Sequence, residues 1–174
     1  MGYTHYFGGL QPDEKLAQAV REIVAASDVA IFGADGYGDP TIEADLIVLN
    51  GNAETGEEHE SFYLCAGDYD FNFCKTARKP YDKVVSAILL YAMLSGTEGS
   101  ENIKSDGTVV DWIEGIHLYE QCFGRLGEDE FARVIEAIGE PKIYDAKNGE
   151  WKDLPIPLDS RDKLEDTAAW LAQY

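Results

Sequence analysis

The sequence predicts an α+β fold: an antiparallel sheet of four or five strands, with a central helix packed on one face and a C-terminal hairpin and helix added. Three observations give this. Short strand-like runs follow one another between Val29 and Cys65, with connections too short for crossover helices, which favours antiparallel pairing. A strongly apolar helical repeat then appears at Val84, Val85, Ile88, Leu89, Ala92 and Met93. Finally, 174 residues with 45% hydrophobic content can bury one core and are not a disordered composition.

The elements follow in order. Tyr3 to Phe7 is aromatic and β-prone, an opening strand. A helix is predicted over 12–26: Pro12 suits a first turn, Asp13 and Glu14 complement the positive helix end, and Leu16, Val20, Ile23 and Val24 form its stripe. Val29–Phe32 reads as a short buried strand, 34–40 as a glycine-bearing loop, Leu46–Leu49 as a strand closed by Asn50-Gly51, and Ser61–Cys65 as another strand. The central helix opens at Pro80 and stops at Gly96 and Gly99. Ile103–Gly107 is an edge strand and turn, followed by helices over Val109–Phe123, with Gly115 an internal weakness, and over Asp129–Ile138. Asn148-Gly149 between strand-like flanks predicts a hairpin with a type I′ turn. Pro155 and Pro157 stiffen the approach to a last helix, capped by Asp159 or Ser160 and carrying Leu164, Ala168 and Leu171. The chain divides into a core over 1–124 and an appended helix, hairpin and terminal helix over 125–174.

Charge narrows the function classes. Lys and Arg number 14 and Asp and Glu 33, for a net charge of -19. A direct nucleic-acid binder needs a basic face, and an anionic membrane repels such a chain, so neither class is expected. The longest nearly apolar run, Val84–Leu94, is far shorter than a bilayer span, and Met1–Tyr6 has no basic signal-peptide start; a cytoplasmic protein is expected. Strong acidity itself serves either solubility or imitation of a polyanion. Its distribution is uneven: residues 1–74 carry -12 and 84–174 carry -10, whereas 75–83 carries +3 through Lys75, Arg78, Lys79 and Lys83 against Asp82.

Catalytic motifs are sparse. His5, His59 and His117 lack metal-ligand spacing, and Cys65, Cys74 and Cys122 form neither a disulfide framework nor a zinc signature. Asp35, Asp39 and Glu43 do not match an EF-hand, and Cys74 beside Lys75 has no evident base. No nucleophile elbow, P-loop or dinucleotide fingerprint is present. No metal, cofactor or catalytic residue is therefore assigned, and a hydrolase using His5, His59 or Cys74 ranks behind a binding module.

The basic segment has more content. Its cations lie before and within the first turn of the central helix, where they oppose the helix dipole, so stability alone does not favour them. Backbone N–H groups, Thr76 and the cations can hold an anion such as phosphate; equally, the cations can neutralise neighbouring carboxylates. The candidate ligand-binding residues are His5, Tyr6, His59, Phe73, Lys75, Thr76, Arg78, Lys79 and Tyr81, an aromatic pocket with a cationic rim suited to a nucleotide-like anion.

The opening GYTHYF, the Asn50-Gly51 strand end, His59-Glu60-Ser61-Phe62, the block FNFCKTARKPYDKVV and Ser105-Asp106-Gly107 together resemble a family of small phage and prophage proteins, over about residues 1–120. The resemblance implies a viral origin, action in the cytoplasm of a bacterial host and a counter-defence role, and it brings no established catalytic activity. The expected function is a phage accessory protein that binds a small anionic ligand at 75–81. The alternative is an acidic nucleic-acid mimic that inhibits a host nuclease or CRISPR effector by protein–protein binding. Its partner is then a small anion or a host defence protein, and a homo-oligomer is compatible with either reading.

Overall fold

In the computed structural model, which describes residues 2–174, helix α2 (Asp82–Ser95) is buried on all sides from Val84 through Leu90. A helix without a polar face has to be surrounded. Helices α1 (Glu14–Ala26), α3 (Ile113–Phe123) and α4 (Glu128–Ile138) all pack against it. This corrects the expected helix lying on one face of a sheet. Gly115 of α3 is the point of closest approach: a Cβ there would stand 2.0 Å from Ser86 Oγ. That glycine is a packing requirement, not a weak point in its helix.

The strands are β1 (Thr4–Tyr6), β2 (Thr41–Glu43), β3 (Leu46–Leu49), β4 (Phe62–Cys65), β5 (Phe73–Lys75), β6 (Lys104–Ser105), β7 (Ile143–Asp145) and β8 (Glu150–Lys152). They form three small antiparallel sheets, in the orders β5-β1-β6, β2-β3-β4 and β7-β8, instead of one sheet of four or five strands. The reason is length. Strands of two to four residues show barely one alternation, and β1 pairs with partners distant in sequence, His5 facing Cys74 on one side and Ser105 on the other. The expected strand over Val29–Phe32 is reduced to one bridge, Phe32 with Asn50.

Helix α1 begins where Asp13 accepts a hydrogen bond from Leu16 N at 2.7 Å, an N-cap in place of a first turn at Pro12. The β7–β8 hairpin forms, but Asp145 pairs with Glu150, so 146–149 is a four-residue loop and not a two-residue type I′ turn. The Asp145 side chain organises that loop, accepting from Lys147 N at 2.9 Å and Asn148 Nδ2 at 2.8 Å. Before the last helix, α5 (Leu164–Leu171), Ser160 makes no side-chain cap; Asp159 instead pairs with Lys163.

A single apolar cluster runs from Phe7 through α2 to Leu158 and Leu164. Arg161, 1% exposed, fixes the chain's end to α3 through Glu120, with a second bond to Glu165. Among the described residues no helix is long and apolar enough to cross a membrane.

Candidate functional site

The segment from Thr76 to Lys79 is a tight turn, closed by Lys79 N donating to Thr76 O at 3.0 Å. Its two central residues, Ala77 (φ 51°) and Arg78 (φ 58°), are both left-handed, the geometry of a type I′ turn built without glycine. For residues with a Cβ this costs about 1–2 kcal/mol each, so surrounding contacts must impose it. They are present. Ala77 N donates to Tyr3 O at 3.2 Å, Thr76 Oγ1 donates to Asp82 Oδ1, and Lys79 Nζ reaches Gly56 O at 2.8 Å. The Arg78 guanidinium lies 4.0 Å from the Tyr3 ring centroid and 2.9 Å from Asp111 Oδ1.

Beneath the turn sits a polar network centred on His5, which is fully buried. His5 Nε2 is 2.7 Å from Asp82 Oδ1, and Nδ1 is 2.9 Å from Ser105 Oγ. Ser105 Oγ already accepts from Trp112 Nε1 at 3.1 Å and Gly107 N at 3.0 Å, so its own proton goes to Nδ1 and the imidazole N–H at Nε2 faces Asp82. Tyr3 and Trp112 close the ring edge-on, at centroid distances of 5.1 and 5.2 Å. The line of hydroxyl, imidazole and carboxylate has the order of a hydrolytic triad. Yet every bonding position of the Ser105 oxygen is occupied and His5 is sealed from solvent, so the line acts as a rigid support for Asp82 and the turn above it. The Tyr3 hydroxyl is the one buried side-chain oxygen of this neighbourhood without a hydrogen-bond partner among the described residues, and burial pushes its pKa up.

Outside the turn opens a cleft of about 400 Å³, lined by Arg78, Lys79, Pro80, Asp82, Lys83, Asp111 and Glu114. Three cations face three carboxylates there. Arg78 is held by Asp111, while Lys83 pairs with Asp28, whose side chain is 83% exposed.

The nine sequence-predicted residues divide into four groups. His5, Thr76, Arg78 and Lys79 gather at the turn and cleft. Tyr6 and Phe73 are register partners on the opposite face of the sheet from His5, beside exposed Phe71. Strand alternation separates them from the cleft. His59 and Lys75 lie between: His59 Nδ1 donates to Lys75 O at 2.7 Å, Lys75 N donates to Glu60 Oε2, and the Lys75 stem lies against Gly2. Tyr81 belongs to the core, donating to Glu60 O at 2.6 Å. Cys74 is fully buried, and desolvation lifts its thiol to about 12, which removes it as a nucleophile.

Sequence reasoning assigned no role to Tyr3, Asp82, Ser105, Asp111 or Trp112. The signal lay in period-two alternation through Tyr3-Thr4-His5, which turns Tyr3 and His5 to one face, and in Ser105-Asp106-Gly107, a strand-turn that pairs beside them. Among the described residues no three His, Cys, Asp or Glu side chains converge as a metal site. No protein-family model matches this chain, and no curated protein or solved structure shows significant similarity to it.

Proposed function

We propose that the protein is a binding module for a small phosphate-bearing, nucleotide-like anion, received in the cleft between Arg78, Lys79 and Lys83. The supporting observation is the pair of consecutive left-handed residues that hold Arg78 at the cleft mouth. Strain of this kind persists where a site needs a side chain held in one place. Arg78, Lys79 and Lys83 are the three cations of the cleft, at the N-terminal end of a fourteen-residue helix in a chain of charge -19. A phosphate replacing Asp111 at Arg78 gives up only a partly exposed ion pair, worth about 0–1 kcal/mol, for a charge-assisted bidentate contact. With the resemblance to small phage proteins, this reading makes the chain an accessory factor that captures a nucleotide-derived signal in a bacterial host and so blunts its defence.

Of the two acidic clusters that would serve a nucleic-acid mimic, Glu54-Glu57-Glu58 and Glu128-Asp129-Glu130, only the second is engaged internally: Glu130 caps Gly127 N at 3.0 Å and Glu128 accepts from Arg161 N at 3.3 Å. Glu54, Glu57 and Glu58 make no ion pair among the described residues, so the preference for the cleft rests on the strained turn that holds Arg78.

Calorimetric titration with mono- and cyclic nucleotides tests the reading, using Arg78→Gly. Glycine relieves the left-handed strain while deleting the guanidinium, so folding is kept. Loss of a charge-assisted contact worth about 1.5–3 kcal/mol weakens binding roughly 10- to 150-fold. Unchanged binding in Arg78→Gly and Lys79→Ala, or no nucleotide binding by the parent chain, refutes the proposal.

A further inference from the structure

From Glu22 through Cys74 the chain contains twelve Asp and Glu residues and no Lys or Arg. Among the described residues only one of the twelve, Asp28, forms an ion pair. The same stretch carries the most exposed aromatic strip of the N-terminal half. Phe71 is 73% exposed, and its ring centroid lies 6.0 Å from Tyr6 and 5.5 Å from Phe73, so three rings run continuously across β1 and β5. Tyr63 and Tyr69 are further exposed aromatics of the same stretch. Carboxylates border it: Tyr6 Oη donates to Asp106 at 3.1 Å, Tyr69 Oη donates to Glu98 at 3.3 Å, and Asp68 and Asp70 flank Tyr69. Two lysines of the same sheet are turned to its ends, Lys104 toward Ala137 O and Lys75 toward Gly2.

Clustered exposed aromatics with a polar rim have the composition of an interface hot spot. The charge selects the occupant. Unpaired carboxylates repel nucleic acid and anionic lipid, although the rings alone would suit base stacking or membrane insertion. A second copy brings the same negative face to a two-fold contact and is repelled as well. A basic protein surface meets both demands: its Arg and Lys neutralise carboxylates that have no ion-pair partner among the described residues and lie over the ring faces, while its apolar side chains cover Phe71. We propose that the strip Tyr6–Phe71–Phe73, with Tyr63 and Tyr69, is a docking surface for a cationic, arginine-bearing protein partner. This site stands on the other face of the β1 sheet from His5 and is independent of the anion cleft.

The test is isothermal titration of the full chain with a synthetic peptide alternating arginine and leucine. Phe71→Ala, a change at an exposed position, is expected to weaken binding about 30-fold, the effect of a hot-spot aromatic. Asp68→Asn with Asp70→Asn weakens it about tenfold and reduces its salt dependence. Glu140→Gln with Glu150→Gln, an equal charge change elsewhere on the surface, leaves it unaltered. Equal losses in the two double variants with none in Phe71→Ala would show diffuse attraction to an acidic chain and overturn the proposal. So would Phe71-dependent binding of an oligothymidine or of phosphatidylserine vesicles, or a dimer in light scattering that Phe71→Ala dissolves.

Discussion

Two regions of this molecule use their carboxylates in opposite ways. Between Glu22 and Cys74, twelve carboxylates share one ion pair, Asp28 with Lys83. From Asp111 to Glu165, by contrast, Asp111, Glu120, Asp145, Asp153, Asp159, Asp162 and Glu165 are each matched to Lys or Arg. The first region is held by uncharged means: Ile47, Leu49, Phe62 and Leu64 are fully buried, and Asn50 and Gln11 bridge loops through backbone groups. The second needs its charges as fastenings, because its hairpin exposes Tyr144 and Trp151 and contributes little to the core. Net charge alone, similar in the two halves, hides this difference. A carboxylate with an internal partner is part of the structure, whereas one without is available to something outside.

Breaking the strongest fastening gives the largest expected effect. Arg161→Met removes a buried guanidinium and leaves Glu120, 11% exposed, without its partner. Removing one member of such a pair costs about 3–5 kcal/mol. Urea denaturation should register that loss, and limited proteolysis should cut the 140–174 segment first. Restoring an apolar pair with Arg161→Met and Glu120→Leu should recover most of it. A loss below about 1 kcal/mol, the scale of surface pairs, would erase the contrast between the two regions.

At the boundary between them, His5→Ala is expected to cost about 2–4 kcal/mol, since it opens a cavity and strips Asp82 and Ser105 of a bond each. If His5 supports the turn, amide shifts of Ala77 and Arg78 should move with it. A stable variant with an unmoved turn would show that the strain at 77–78 is imposed from Tyr3 and Asp111 alone.

Acid should separate the regions next. Burial raises the Glu165 carboxyl, but hydrogen bonds from His117 and Arg161 outweigh it and bring the group down to about 2. A depressed carboxyl stabilises the fold fully above its ordinary value near 4.3, and that contribution is lost as the pH falls toward about 2. Lys163 and Lys152 likewise lower Asp159 and Asp145. Trp170 fluorescence should therefore report release of α5 in that window, before the far-ultraviolet signal of the buried helices falls. Glu165→Gln should flatten the transition.

These sites show what could be read without coordinates. Helix α2 was plain because its apolar residues repeat at helical spacing, and α1 because Asp13 precedes a clean stripe. The sheet was not, since β2, β5 and β6 have three residues or fewer and their pairing depends on which distant segment meets β1. The basic segment stood out by charge, which located Arg78 and Lys79. Its supporting residues stayed hidden: Ser105 and Trp112 reach His5 only through tertiary packing, and nothing in Ala77-Arg78 announces left-handed backbone. Tyr6 and Phe73 belong to strands that approach the 75–81 segment, but alternation along those strands places both on the other face from His5.

The smallest effect concerns the unpaired side and has the opposite sign. Glu43 and Glu54 are exposed, make no ion pair among the described residues, and sit in a field of like charges with no neighbouring cation in sequence. Replacing both by glutamine removes repulsion and breaks nothing, so stability should rise by a few tenths of a kcal/mol, within the range of about 0.5 kcal/mol seen for surface changes. The gain should be greatest at low ionic strength and fade by about 0.15 M salt, where the Debye length is about 8 Å. Asp159→Asn, an equally exposed change on the paired side, should instead lower stability slightly, because Lys163 loses its partner. Thermal melts of the two variants across a salt series measure both signs at once. Parallel responses would mean that long-range repulsion, and not local pairing, governs every carboxylate in the chain; divergent responses would leave the unpaired carboxylates as the ones free to meet a cationic partner.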